Sequence, residues 1–131
     1  LSYGAPGGDN RGSGSAQRRI ERLLSRIGMP SHLKGYQYLK TALEICLNDM
    51  EALDGITKRL YPEVAKKHKT TKEKVEHAVR HAIESAWKRG DEREHKNLFG
   101  YCQTEGKRPT NAEFITRMAD YLLHDTTSFL S

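Results

Sequence analysis

Apolar side chains recur along this chain at helical spacing, and nowhere do they alternate as they would in a strand. Ile20, Leu23, Leu24 and Ile27 fall at i, i+3, i+4 and i+7, and the stripe stops at Gly28, a natural C-cap. After a break at Met29, Pro30 and Ser31, a longer stripe runs through Tyr36, Leu39, Leu43, Cys46, Leu47 and Met50. Asp54 can cap a third segment through Ile56 and Leu60. Pro62 suits the first turn of a fourth, Glu63 to His68, where its missing N–H costs nothing. Thr70-Thr71-Lys72-Glu73 carries a Thr-x-x-Glu capping box, so a helix should start there with Val75, Ala78, Val79, Ala82, Ile83 and Ala86 inside and Gly90 at its end. A charged segment from Asp91 to Asn97 closes on Leu98, Phe99 and Gly100, followed by an exposed loop through Gly106, Lys107, Arg108 and Pro109. A second box, Thr110-Asn111-Ala112-Glu113, opens a last helix on Phe114, Ile115, Met118, Ala119, Leu122 and Leu123. The pattern predicts an all-α fold.

The ends read differently. Residues 1–15 hold five glycines, three serines and Pro6 with almost nothing apolar to bury, the composition of a flexible linker or a tag remnant. The helical domain is expected over 16–125, with a frayed tail at 126–131. The chain opens on Leu1 without an initiator methionine, which reads as a fragment or a processed product.

Composition narrows the function. At 131 residues and 14.9 kDa the chain is one domain, too short for a two-domain enzyme with a cleft between lobes. With 22 Lys+Arg against 17 Asp+Glu the net charge is +5, which favours a polyanionic partner. Cys46 and Cys102 are the only cysteines, without a zinc pattern or the density of a disulfide scaffold, so a reducing, cytoplasmic setting is the simplest expectation. Cys46, inside an apolar stripe, reads as a buried small hydrophobe. No apolar run approaches the roughly 20 residues of a membrane span, and no signal peptide is visible.

Two consecutive helices joined by a short turn, the second basic outside and apolar inside, are the sequence form of a helix-turn-helix. Ala65 is small where the two would cross, and Lys69 falls at the turn, where a positive φ would carry a small steric penalty. From the second helix Glu73, Lys74, His77, Arg80, His81 and Glu84 project outward, with donors and acceptors where base edges would lie. Between Pro62 and Gly90 there are eight Lys or Arg and four Glu, so this part carries most of the net charge. The same pattern also describes a solvated helix face, or a helical interaction module docking an acidic protein without sequence readout. A zinc enzyme is disfavoured: His77 and His81 have ligand spacing, but His-Glu-x-x-His is absent and no third ligand is evident. No catalytic residue, cofactor or metal is expected. Trp87 and Tyr61 read as packing groups.

Several motifs together carry a resemblance. They are His32-Leu33-Lys34-Gly35-Tyr36-Gln37-Tyr38-Leu39, then Ile56-Thr57-Lys58-Arg59-Leu60-Tyr61-Pro62-Glu63-Val64-Ala65-Lys66-Lys67. Further on come Val75-Glu76-His77-Ala78-Val79-Arg80-His81-Ala82-Ile83-Glu84, Ala86-Trp87, Leu98-Phe99-Gly100-Tyr101 and Pro109-Thr110-Asn111-Ala112-Glu113-Phe114-Ile115. In this order, over roughly Ile20 to Leu123, the chain resembles the C-terminal effector domain of the sporulation master response regulator of endospore-forming Firmicutes. The resemblance implies a compact bundle of about six helices containing a helix-turn-helix. It also implies binding of a TGTCGAA-type DNA box in the major groove, and activation or repression of transcription. In such proteins a phosphorylated receiver domain promotes a homodimer on tandem DNA boxes; this chain holds no receiver, which would belong to the parent chain.

The resemblance also assigns residues. Typical members read Ser-Arg-Val-Glu-Arg-Ala-Ile-Arg-His where this chain has Glu73-Lys74-Val75-Glu76-His77-Ala78-Val79-Arg80-His81. The implied base readers are Lys74, Glu76, His77 and Arg80, flanked by Glu73 and His81. Arg80 suits guanine O6 and N7 and Glu76 suits cytosine N4. Lys74 and His77 stand where arginines are typical, and neither offers the planar fork. Candidate phosphate contacts are Lys34 and Gly35, Thr71 and Lys72 at the positive end of the helix, and Lys107 and Arg108. The Asp91 to Phe99 segment corresponds to the family's contact with the RNA polymerase sigma factor, which would fall to Glu92, Arg93 and Lys96. The dimer surface would involve the first and last helices.

Overall fold

The computed structural model describes residues 4–102 and 106–130, with side chains for 14–102 and 106–124. Among the described residues there are six α-helices and no strand: α1 (Gly4–Arg26), α2 (Lys34–Asn48), α3 (Tyr61–Lys67), α4 (Lys72–Arg89), α5 (Glu92–Phe99) and α6 (Asn111–Leu130). A 3₁₀ turn, Met50–Gly55, and a π turn, Ile56–Leu60, join α2 to α3. No described helix is long and apolar enough to cross a membrane. The backbone of α1 is helical from Gly4, inside the stretch whose composition suggested a linker, and α6 continues to Leu130 through the expected tail.

The apolar stripes meet in one core. Ile20 and Leu24 of α1, Ile27 just after it, Leu39 and Leu43 of α2, Ile83 and Trp87 of α4 and Phe114, Ile115, Met118 and Leu122 of α6 are all essentially inaccessible. The largest helix–helix seam is that between α2 and α4, so α2 is the platform on which α4 lies. Trp87 stacks on His95 with ring centroids 4.1 Å apart and planes 7° from parallel, and meets Phe99 edge-on at 5.0 Å. His95 is fully buried although charged residues surround it in sequence. Its Nε2 donates to the Ile27 carbonyl at 2.9 Å, so one ring pins α5 to the end of α1 and fixes its own tautomer.

Helix ends show where local rules applied and where they were displaced. At the end of α1, Gly28 has φ 84, its N–H bonds the Ser25 carbonyl and the Met29 N–H bonds the Leu24 carbonyl, a Schellman closure. At the end of α3 the same pair of bonds recurs, Lys69 N–H to Lys66 and Thr70 N–H to Ala65, around Lys69 at φ 56. Lysine there costs about 1 kcal/mol against glycine, and the two closing bonds hold it in place.

The capping boxes close only halfway. Thr71, not Thr70, caps α4, accepting from Lys74 N–H at 3.2 Å, so the third helical residue is a lysine and no reciprocal carboxylate bond forms. Thr110 does accept from Glu113 N–H at 3.1 Å, but the Glu113 carboxylate accepts from the Tyr101 hydroxyl at 2.6 Å instead of reaching back. The Glu113 charge and burial together push the Tyr101 hydroxyl well above its usual range, burial being the larger effect.

The third predicted segment is also corrected. Asp49 caps the 3₁₀ turn by accepting from Glu51 N–H and pairs with Arg59, so Asp54 caps nothing. The π turn then runs into α3 without a break, through a Tyr61 N–H bond to the Ile56 carbonyl. A widened turn is a known accommodation beside a proline that has no N–H to give.

Cys46 is fully buried on α2, and burial is the main reason its thiol is pushed up to about 11. At pH 8 iodoacetamide should therefore leave Cys46 unmodified in the folded domain, as read by peptide mass, and label it once the chain is unfolded. Labelling of native Cys46 at the unfolded rate would show that the α2 seam opens.

Candidate nucleic-acid interface

Helix α4 buries Val75, Val79, Ala82, Ile83, Ala86 and Trp87. The opposite side is a crest at helical spacing, Glu73, His77, Arg80 and Glu84, with Lys74, Glu76 and His81 on its flanks. Glu73, Lys74, Glu76, His77, Arg80 and His81 are all exposed, so the structure brings the six predicted base readers onto one outward surface. Thr71 and Lys72 are exposed at the N-terminal end of the same helix, where unpaired backbone N–H groups and the helix dipole favour an anion.

A groove lies along each flank of the crest. One, of about 570 Å³, is lined by Lys34, Tyr38, His68, Lys69, Lys74 and His77 among others. Its floor is braced by His68, whose Nε2 lies 2.8 Å from the Thr41 hydroxyl and whose ring meets Tyr38 edge-on. Three lysines give this groove a positive wall. The other, of about 380 Å³, is lined by Thr57, Tyr61, Glu76, Arg80, Arg108 and Asn111 with neighbours from the start of α6.

The second groove is organised by polar contacts. Arg80 Nη2 donates to Glu76 Oε2 at 2.9 Å, an i,i+4 pair with each side chain about half exposed. Arg108 pairs with Glu84 at 3.3 Å, which ties the loop before α6 to α4. Asn111 Nδ2 donates to the Glu76 backbone carbonyl at 3.0 Å, so the first residue of α6 fixes its position against α4. Burial raises the hydroxyl of Tyr61 above its usual range, and Asn111 offsets part of that rise. Lys107 is exposed, its ammonium 6.0 Å from the Tyr101 ring centroid.

Gly35 was expected beside Lys34 at a phosphate. It is buried: a Cβ placed on it would run into the Ala78 carbonyl oxygen and lie 2.7 Å from the Ala82 Cβ. Its role is to let α2 and α4 approach, while Lys34 remains exposed next to it. On α5, Glu92, Arg93 and Lys96 are exposed and do not join the α4 surface. Asp91 caps α5 by accepting from Arg93 N–H at 2.8 Å, and that backbone bond holds its carboxyl below the usual range.

Asn111 is the residue that sequence reasoning passed over as part of this surface, and the pairing of Glu84 is the contact it missed. Asn111 sits inside a capping motif and finds its partner 35 positions away. Glu84 was visible as an outward residue, but its link to a loop cation depends on how the chain folds back.

This arrangement is a protruding, functionalised helix on a helical platform, with cations along both sides. The family model described as Sporulation initiation factor Spo0A C terminal matches residues 20–122, from Ile20, the first buried one among the described side chains of α1, to Leu122 of α6. That span contains every buried core residue described and the whole of α4. The chain therefore belongs to the family of the C-terminal domain of sporulation initiation factor Spo0A, a DNA-binding, transcription-regulating domain of a sporulation response regulator.

Proposed function

We propose that this domain reads a TGTCGAA-type box by laying α4 in the major groove. The observation that carries this reading is the exposed crest of α4 standing between two grooves. A helix inserted in a major groove is flanked by two phosphate ridges, and the two grooves are where those ridges would rest.

In this reading Arg80 takes guanine O6 and N7 and Glu76 accepts from cytosine N4. The contact between them uses one oxygen and one nitrogen, which leaves the second carboxylate oxygen and the rest of the guanidinium for bases. Lys74 and His77 supply single-point donors, and Glu73 and His81 border them. Lys34, Thr71, Lys72 and Lys107 meet phosphates, and Arg108 joins them on exchanging its carboxylate partner for a phosphate. By resemblance, two copies sit on tandem boxes through α1 and α6 under control of a receiver domain in the parent chain, and α5 offers Glu92, Arg93 and Lys96 to the polymerase sigma factor. That the buried His95 and Phe99 anchor α5 while these three remain exposed favours an accessory protein contact there over a second DNA contact.

Fluorescence anisotropy on a TGTCGAA duplex, on scrambled DNA and on single-base changes, at two salt concentrations, tests the reading. Each changed base pair should cost about 1 to 3 kcal/mol. Equal binding to every duplex would overturn sequence readout and leave a module for acidic partners. Lys107→Ala should weaken binding to all duplexes alike and lower the salt slope by about one; a sequence-dependent loss would remove Lys107 from the phosphate set.

A further inference from the structure

We infer that Glu84 sets the DNA affinity of this domain by holding Arg108 away from the phosphate backbone. This rests on the DNA-binding reading above and adds to it an internal competitor.

The observations are positional. Glu84 continues the α4 crest one turn beyond Arg80, so it stands on the surface offered to DNA although it is acidic. Its carboxylate lies 3.3 Å from the Arg108 guanidinium, with the glutamate side chain 35% and the arginine 42% exposed. Arg108 is carried by the loop at the mouth of the Arg80 groove and reaches α4 through this pair. The groove's own arginine is likewise paired with a carboxylate, Glu76. Its two strongest cations are thus both neutralised from α4, whereas the lysine-lined groove on the other flank draws only Glu73 into its wall.

The chemistry is an exchange of anions around one guanidinium. To reach a phosphate, Arg108 must leave Glu84, and the freed carboxylate is then left facing a polyanion. An exposed pair of this kind is weak, so the exchange is within reach of DNA binding but reduces what Arg108 adds. Glu84 is therefore a positioning residue: it acts on DNA through the arginine it holds.

The test is a double-mutant cycle read by anisotropy on the TGTCGAA duplex across a salt series. Glu84→Gln keeps the size of the side chain and removes its charge. With Arg108 present, this change should tighten binding about two- to fivefold near 0.1 M salt and steepen the salt slope by about one, because a further cation now reaches phosphate. In the Arg108→Ala background the same change should leave the slope as it was.

Two outcomes would overturn the inference while leaving DNA binding intact. If Glu84→Gln tightens binding and steepens the slope equally in both backgrounds, the glutamate acts as a general negative charge and not through Arg108. If Glu84→Gln weakens binding, the pair is an anchor that places the loop on DNA. Absence of binding to any duplex by the unaltered protein would instead defeat the DNA reading itself. Far-UV circular dichroism with thermal melts identifies any variant that changes the fold, and Glu84→Ala repeats the cycle without a new amide.

Discussion

Alanine at position 35 should destabilise the domain by about 2 to 3 kcal/mol. The atoms in its way are the Ala78 carbonyl oxygen, the Ala78 carbonyl carbon at 2.7 Å and the Ala82 Cβ at 2.7 Å. None of these is the end of a flexible side chain, so α2 and α4 must separate. Alanine would gain about 0.5 to 1 kcal/mol over glycine in helix propensity, too little to offset that separation. For a domain of this size the melting temperature should fall by roughly 7 to 14 °C. Gly55→Ala is the matched control, since a Cβ there would only touch the Arg59 Cβ at 3.5 Å; its effect should stay within about 0.5 kcal/mol. A Gly35→Ala protein as stable as the control would show that the seam is looser than the structure indicates. Because the obstructed helix is α4, DNA affinity should also drop at temperatures where the variant is still folded.

Arg80→Ala should have the largest effect on recognition. A bidentate contact to guanine discriminates by about 1 to 3 kcal/mol, roughly five- to 150-fold, and that preference should vanish at one base pair of the box while others persist. Stability should change by less than about 0.5 kcal/mol, because the pair with Glu76 is exposed and one helical turn long. Arg80→Lys separates charge from geometry: it should recover much of the overall affinity and little of the discrimination, since an ammonium lacks the planar fork. If single-base preferences survive unchanged in Arg80→Ala, readout lies with Lys74 and His77, and the assignment of Arg80 fails.

How much of this was legible beforehand can be judged from particular residues. The stripes through Ile20 to Ile27, Tyr36 to Cys46, Val75 to Ala86 and Phe114 to Leu122 are where α1, α2, α4 and α6 bury their faces, because helical spacing directly encodes which side can leave water, whereas Met50, the expected end of the second stripe, lies beyond α2 and is exposed. The outward surface of α4 followed from the same periodicity read in reverse. Lys69 at positive φ was legible as well, from the shortness of the turn. Asp54 and Thr70 were misread. Each was assigned from a local rule, and in each place a neighbour competed: Asp49 took the cap and Thr71 started the helix, while the close approach of α4 to Gly35 was not foreseen.

His95 shows the limit most directly. Its sequence neighbours are charged, and composition alone puts the whole segment on the surface, yet its ring is stacked on Trp87 and bonded to Ile27, 68 positions away. The amino-acid sequence by itself established the all-helical class, the core stripes, the basic balance and the identity of the groups displayed by α4, since these depend on residue type and on spacing within one element. The tertiary structure settled the close seam at Gly35, the docking of α5 through His95, the Asn111 bond to Glu76 and the Arg108 contact with Glu84. Those depend on which elements come together across long stretches of chain, where shape and hydrogen-bond partners are created only by folding.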